Sequence, residues 1–438
     1  MRLSWKRRTV ADVTPSLRDL FLASLKVGCL GFGGPAGQIA LMHRVFVDEK
    51  RWVDEPRYLH ALSFCTLLPG PEAQQLATYV GWLLRGVTGG VVAGLLFVLP
   101  GAAVILALSW LYAAHGDVPV IAAAFGGIKA AVLALVVEAL VRLGRRALTG
   151  PRDLAVAVAA FLAVAVFGLP FPVVILLAAL AGAAWGGQLE PVVGTTDVLP
   201  ERSRGGALGA ALVWGALWLA PLGLSALLLG PAHWLTRVGA VFATLAATSF
   251  GGAYALLAWL QQQAVEAQGW LTTAQMVDGL GLAETTSGPL VLVNQFVGFM
   301  AGWNATGGAV GWAMAGAAMA LWQTFAPSFL FIFAGAPYAE RLRRSRLARG
   351  ALAAVMAAVL GVIASLALWF AGQVLFAGSL EMTWPWGATL NLPDPHAFDW
   401  VSAAFALGAG VALLRFRTNV VLVILGCALA GVVRWLAA

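Results

Sequence analysis

The chain has 438 residues, 61% of them hydrophobic and only 11% charged, with a formal net charge of +7. A soluble domain carries about 25% charged residues, so this composition excludes a soluble enzyme and points to a helical protein that crosses the membrane many times. The positive balance does not mark a nucleic-acid binder, because the basic residues sit in short loops between apolar runs.

In chain order, residues 1–16 read as an N-terminal segment on the cytoplasmic side. Lys6, Arg7 and Arg8 before an apolar stretch superficially resemble a signal peptide. That reading is rejected, because cleavage would remove Lys26 and a motif that recurs later in the chain. Apolar segments then follow at 17–43, 57–85, 88–112, 118–141, 153–168 and 171–187. After a polar linker at 188–206 comes a lone segment, 207–229. The last six are 237–260, 274–303, 306–333, 350–370, 399–414 and 418–437. The loop at 371–398, with Trp384, Pro385 and Trp386, reads as an external cap without chemistry.

The two sets of six repeat each other. Phe32-Gly33-Gly34 recurs as Phe250-Gly251-Gly252, Trp52 as Trp270, and Gly70-Pro71 as Gly288-Pro289, each pair 218 residues apart. The domains are therefore a first transporter repeat at 17–187, a linker and inverting helix at 188–236, and a second repeat at 237–438. Basic clusters mark the cytoplasmic side. They are Lys6/Arg7/Arg8, Arg142/Arg145/Arg146/Arg152, Arg341/Arg343/Arg344/Arg346/Arg349 and Arg415/Arg417. With these inside, the lone segment makes the second half enter from outside, so the copies are inverted.

One conflict shapes the fold class. If 17–43 spanned the membrane, the loop 44–57 with Arg44, Lys50, Arg51 and Arg57 would lie outside, against the charge rule. Re-entrant hairpins remove the conflict. Each arm of about 13 residues is about 20 Å long as a helix, enough to pass the midplane of a core about 30 Å thick. Full broken spans stay open as the other reading, since Asp48, Glu49, Asp54 and Glu55 dilute the signal. The expected fold is an all-α polytopic membrane protein of two inverted repeats with Gly/Pro-broken re-entrant helical hairpins.

The breaks carry the candidate site. In Gly31-Phe32-Gly33-Gly34-Pro35-Ala36-Gly37 the glycines permit a sharp turn, and proline suits the first turn of a new helix. The free N–H groups of that turn attract an anion. Leu68-Pro69-Gly70-Pro71-Glu72, Ser249-Phe250-Gly251-Gly252 and Thr285-Thr286-Ser287-Gly288-Pro289 repeat the logic. A single break reads as a kink or a tight helix contact. Four centred breaks read as a cavity lining, the setting in which non-helical backbone is tolerated at membrane depth.

Side chains near the breaks have two readings each. Lys26 either complements an anion or snorkels and pairs with a carboxylate. Glu72 either favours its helix dipole or is a protonatable group that alternates with substrate. Glu284, before the hydroxyl run, has the same proton-coupling reading. Gln38, Gln74, Gln75, Asn294 and Gln295 either donate to an oxyanion or join helices. Lys129 and Glu138 lie nine residues apart in one segment, too far for a direct pair, and Glu138 reads as solvated.

Cys29, Cys65 and Cys427 have no pairing or metal spacing, and the five histidines show no ligand spacing, so no metal and no cofactor is expected. No Gly-Lys dipeptide occurs, so no phosphate-binding loop is present. Active transport would then draw on an ion gradient or a partner protein. No enzyme reading has a nucleophile and base to support it.

The Phe-Gly-Gly-Pro break, the Pro-Gly-Pro-Glu-Ala break followed by Gln75-Leu76-Ala77-Thr78-Tyr79-Val80-Gly81-Trp82, and Thr286-Ser287-Gly288-Pro289-Leu290 with Gln295-Phe296-Val297-Gly298 resemble the chromate ion transporter family in its long, two-domain form. The resemblance implies an inner-membrane carrier that expels chromate, confers chromate resistance and uses a membrane gradient. Its motifs fall on Phe32, Gly33, Gly34, Pro35, Pro69, Gly70, Pro71 and Glu72, and on Phe250, Gly251, Gly252, Ser287, Gly288 and Pro289. In the second copy Glu72 is matched by Leu290 and Lys26 by Thr244, so the charge-bearing work is expected of the first half. The expected substrate-binding set is these residues with Lys26, Gly37 and Gln295. Glu72, aided by Glu284, is expected to protonate with substrate and to couple export to proton influx. Partners are the oxyanion, protons and the lipid bilayer, with no nucleic acid; glycine repeats would support a homodimer. A sulfate or other oxyanion carrier and a passive anion channel remain the alternatives.

Overall fold

The computed structural model describes residues 14–32, 34–116, 118–186, 204–250, 253–336, 345–376, 378–383, 389–416 and 418–437. Its first half comprises α1 (Leu17–Leu30), α2 (Gly34–His43), a wide π-helical turn (Arg44–Glu49), α3 (Glu55–Cys65), α4 (Glu72–His115), α5 (Pro119–Ala147), α6 (Pro151–Ala165) and α7 (Phe171–Gly186). Helix α8 (Arg204–Leu229) joins the halves. The second half comprises α9 (Trp234–Thr248), α10 (Ala253–Gln261), a second wide turn (Gln262–Ala267), α11 (Thr273–Thr285), a 3-10 turn (Leu290–Leu292), α12 (Val293–Ala305), α13 (Val310–Gly335), α14 (Arg346–Leu375), α15 (Trp400–Leu414) and α16 (Val420–Ala437).

The helices start where the sequence supplies caps. Ser16, Asp54, Thr272, Ser345 and Asp399 each accept a first-turn N–H with a side-chain oxygen. Segment 57–85 of the sequence reading covers most of α3, the second break and the first part of α4, and segment 88–112 continues α4 past a non-helical step at Arg85 and Gly86 (φ 63°). The loop after α14 adds the one departure from an all-helical chain among the described residues. Ser379–Thr383 pairs antiparallel with Thr389–Pro393, while Trp384, Pro385 and Trp386 lie outside the described residues.

Six helices among the described residues are long and apolar enough to cross a membrane. Gly206–Leu229 is only 6% buried, against 67% for Val310–Gly335 and for Arg346–Leu375, so α8 is peripheral and α13 and α14 are central. Helix α14 packs on α6 and α7, α15 and α16 pack on α5, α1 packs on α4, and α9 packs on α13.

The halves repeat in local backbone as well as in sequence. The two wide turns, Arg44–Glu49 and Gln262–Ala267, stand 218 residues apart. Trp52 N–H bonds the Phe46 carbonyl at 2.9 Å, and Trp270 N–H bonds the Ala264 carbonyl at 2.8 Å. Arg51 (φ 52°) holds a left-handed conformation that Gly269 (φ 60°) adopts in the second copy. Gly70 and Gly288 share φ 108°, a conformation open to glycine and strained for any L side chain.

Candidate functional site

Four interruptions break the helices that precede the spans. They lie between α1 and α2, α3 and α4, α9 and α10, and α11 and α12. They meet across the halves. The Gly70 N–H donates to the Ser249 carbonyl at 2.8 Å, and the Gly288 N–H donates to the Gly31 carbonyl at 3.0 Å. Gly31 and Ser249 occupy matching places in the repeat, as do Gly70 and Gly288, so the two bonds form a crossed pair. Unsatisfied backbone groups cost several kcal/mol in lipid, and here each break satisfies the other half's.

Side-chain amides reinforce the junction. Gln38 Nε2 donates to the carbonyls of Gly288 at 2.6 Å and Gly31 at 3.2 Å, and Gln75 Nε2 donates to the Pro69 carbonyl at 2.6 Å. Gly101 of α4 brings the spanning helix against this junction. A Cβ there would overlap the Ser287 carbonyl.

Between the breaks lies a cavity of about 30 Å³, room for about one or two water molecules. Pro35 and Gln38 line it from the first break, Gly70 to Ala73 from the second, and Pro289 to Val291 from the fourth. Helix α4 starts at Glu72, so the N–H groups of its first turn have no acceptor within the helix. The 3-10 turn at Leu290 and the start of α2 at Gly34 bring two further helix starts to the same place. Glu72 is the one titratable side chain in the lining, and no basic side chain is part of it. The positive potential available to a guest therefore comes from peptide dipoles.

The structure brings part of the expected site together and separates the rest. Pro35, Gly70, Pro71, Glu72 and Pro289 line the cavity, Gly288 bonds Gly31 of the other half, and Pro69, which accepts from Gln75, and buried Ser287 are not part of the lining. Gly34 has positive φ, and a Cβ on Gly37 would strike the Phe32 carbonyl at 2.6 Å. Gly33, Gly251 and Gly252 lie outside the described residues. The Phe32 side chain is 42% exposed, and Phe250 packs against the core. Gln295 is buried but absent from the lining.

Lys26 departs from the expectation of a charge at the site. Its ammonium bonds Glu49 at 2.9 Å with both side chains well exposed, and it lies outside the cavity lining. Hydrogen bonding from Lys26 lowers the Glu49 carboxyl below its ordinary range. Glu284 also stands apart from the lining, accepting from the Tyr254 hydroxyl at 2.7 Å.

One group escaped the sequence reading. Asp278 of α11 forms an ion pair with Lys129 of α5 at 3.1 Å and accepts from the Tyr112 hydroxyl of α4 at 2.8 Å. The signal was an acid inside the apolar segment 274–303, and its partner sits 149 residues earlier, beyond the reach of any spacing rule.

Apolar spans together with broken helices whose interruptions meet define a polytopic helical membrane protein. The chain belongs to the chromate transporter family, whose pattern matches residues 18–183 and 236–432. It is 32% identical to a chromate transport protein of Pseudomonas aeruginosa, covering 86% of this chain and 89% of that one. A chromate transport protein of Cupriavidus metallidurans is 28% identical over 96% of this chain and 94% of its own. An uncharacterized transporter of Methanocaldococcus jannaschii is 23% identical over 82% of this chain and 85% of its own. No solved structure matches the chain.

Proposed function

We propose that the protein is a secondary transporter that exports chromate, or a sulfate-like oxyanion of the same shape, across the inner membrane, and that it confers chromate resistance. The supporting observation is the crossed pair of bonds, Gly70 to Ser249 and Gly288 to Gly31, which gathers helix starts from both halves around one cavity. The substrate comes from the relatives named as chromate transport proteins. The two halves act as inverted repeats with hairpin tips at the midplane and a cytoplasmic N-terminus, and they expose the site alternately.

Each helix start contributes about half a positive charge. The three at the cavity supply about 1.5 charges to a dianion, short of neutrality. Glu72 then decides occupancy. An ionised carboxylate beside a dianion is repulsive, so the oxyanion binds with Glu72 protonated and donating a hydrogen bond to it, and Glu72 keeps that proton on the empty return step. The cavity holds about one or two waters as it stands, so the breaks must part to admit the oxyanion. Gln38 and Gln75 are then released from backbone carbonyls to donate to the guest.

This arrangement fixes a sign. A proton that stays on Glu72 in both steps moves no net charge, and one released together with the anion would leave with it. Export driven by proton influx therefore needs a second proton site that loads on the empty return step.

Radiotracer flux in proteoliposomes tests the function. Labelled chromate is expected to be carried in saturable fashion, with excess sulfate competing. Glu72→Gln is expected to abolish the pH dependence of half-saturation. Non-saturable flux that only follows the gradient would indicate a pore and refute the carrier.

A further inference from the structure

The buried charges outside the cavity form one cluster. Asp278 and Lys129 pair at 3.1 Å with side chains 9% and 27% exposed, and Tyr112 donates to the same carboxylate. Ionisable groups at membrane depth are costly and rarely incidental. The elements that carry this cluster come from both halves, since α4 and α5 belong to the first and α11 to the second.

The cluster sits near one surface. Asp278 lies five residues from the start of α11, about 8 Å along the helix axis, and Tyr112 lies three residues from the end of α4, about 5 Å. Lys129 lies ten residues from the start of α5, about 15 Å. These helix ends are the ones that the charge pattern puts outside. From Asp278, α11 runs on to Thr285 and delivers the fourth break, whose Gly288 closes onto Gly31. The ion pair thus fastens α11, and with it one wall of the cavity, to α4 and α5.

Among the described residues, His115 of α4, one turn beyond Tyr112, lies edge-on to the Trp110 ring. Of the other elements packed on α11, α12 carries no titratable residue. On α16, Arg434 is bonded to Asp399, and Cys427 lies with its backbone against Gly127. In the neighbouring turn Glu266 is bonded to Gln261, and further along α5 Glu138 pairs with Arg142 at 3.1 Å.

We infer that Asp278, with Lys129 and Tyr112, is the proton site that loads on the empty return step of transport. The inference rests on the proposed export cycle. While the oxyanion is bound at the breaks, Asp278 remains ionised and paired. After release outside, a proton from external water adds to an Asp278 carboxylate oxygen, the attraction to Lys129 is lost, and α11 is freed to return. The proton leaves to the inside and the pair reforms. Because Asp278 is remote from the cavity lining, its protonation and anion binding need not coincide, which is the condition that Glu72 fails.

The test uses the full chain in proteoliposomes with two readouts. One is accumulation of labelled chromate into an acidic lumen. The other is exchange of internal for external chromate at equal pH, which cycles only the loaded carrier. Asp278→Asn is expected to lose accumulation at least tenfold while exchange stays within threefold. Lys129→Met, which removes the cation that favours the carboxylate, is expected to keep accumulation with its pH profile moved to higher pH. Glu72→Gln keeps a neutral hydrogen-bond donor toward the oxyanion and is expected to leave the ratio of the two readouts at its wild-type value. Asp278→Asn that accumulates like wild type, or that loses both readouts in proportion, overturns the inference. Should that variant fail to fold, the doubly neutral Asp278→Asn, Lys129→Met chain must exchange without accumulating; retained accumulation overturns the inference. Wild type that exchanges chromate but accumulates it under neither gradient polarity refutes the proton-driven cycle itself, a result separate from any effect of Asp278.

Discussion

The Gly70 N–H donates to the carbonyl of Ser249, a residue 179 positions later in the opposite half, at 2.8 Å. Its repeat-related bond joins Gly288 to Gly31. Both donors hold φ 108°, and each bond closes a break that lipid would otherwise leave unsatisfied. The junction thus joins the two halves at a residue, Gly70, that also lines the cavity.

Alanine at Gly288 tests that junction. The backbone strain costs about 1–3 kcal/mol, and the added Cβ would meet Leu292 Cδ1 at 2.8 Å. Gly288→Ala is expected to lower the thermal unfolding temperature in detergent and to reduce chromate flux at least tenfold. Gly70→Ala, whose nearest neighbour is the end of the Gln75 side chain, is expected to be the milder of the two.

Gln38 bridges the halves through one amide. Gln38→Leu leaves the carbonyls of Gly31 and Gly288 without that donor. The expected loss of stability is about 1–3 kcal/mol, read from detergent unfolding, with weaker half-saturation by chromate. An unfolding curve that coincides with wild type would show that the bridge does not hold the halves.

Much of this was legible before any coordinates. Gly70 and Gly288 announced their breaks, because glycine beside proline inside apolar sequence has few other uses. The doubling at 218 residues paired Trp52 with Trp270, but the wide turns that precede them carried no signal in the sequence. What was not legible depends on contacts between distant segments. Lys26 looked like a charge at depth, yet its long stem carries it out to Glu49. Asp278 was passed over because its partners lie on α4 and α5, and Glu284 is held by Tyr254 on another broken helix. Periodicity reports which residues are apolar along one helix, not which polar groups two helices bring together.

The pair that holds Lys26 predicts a small effect. Lys26→Ala is expected to change chromate half-saturation by less than about threefold, since exposed ion pairs contribute little. A tenfold loss of affinity would return Lys26 to the binding site.

The loop between the first two broken helices is clasped by His43. One ring nitrogen bonds Glu55 and the other faces Asp48 at 3.4 Å. The Glu55 hydrogen bond, with the negative field of Glu55 and Asp48, raises the imidazole above its ordinary 6.5. A raised imidazole stabilises the fold fully below its unfolded value and loses that contribution as pH rises through the folded value. Hydrogen exchange of residues 44–55, corrected for intrinsic rate, is therefore expected to quicken as pH climbs above neutrality, and His43→Gln is expected to flatten the change. Equal pH dependence in both chains would contradict the clasp.

The most direct test is a density map of the full chain in a lipid nanodisc with chromate bound, read for the position of the chromium atom. The expected position is between the breaks, with oxyanion oxygens within hydrogen-bond distance of the N–H groups of Gly70, Glu72, Ala73, Leu290 and Val291 and with the Glu72 side chain alongside. Chromium elsewhere, with the Gly70–Ser249 and Gly288–Gly31 bonds undisturbed, would contradict it.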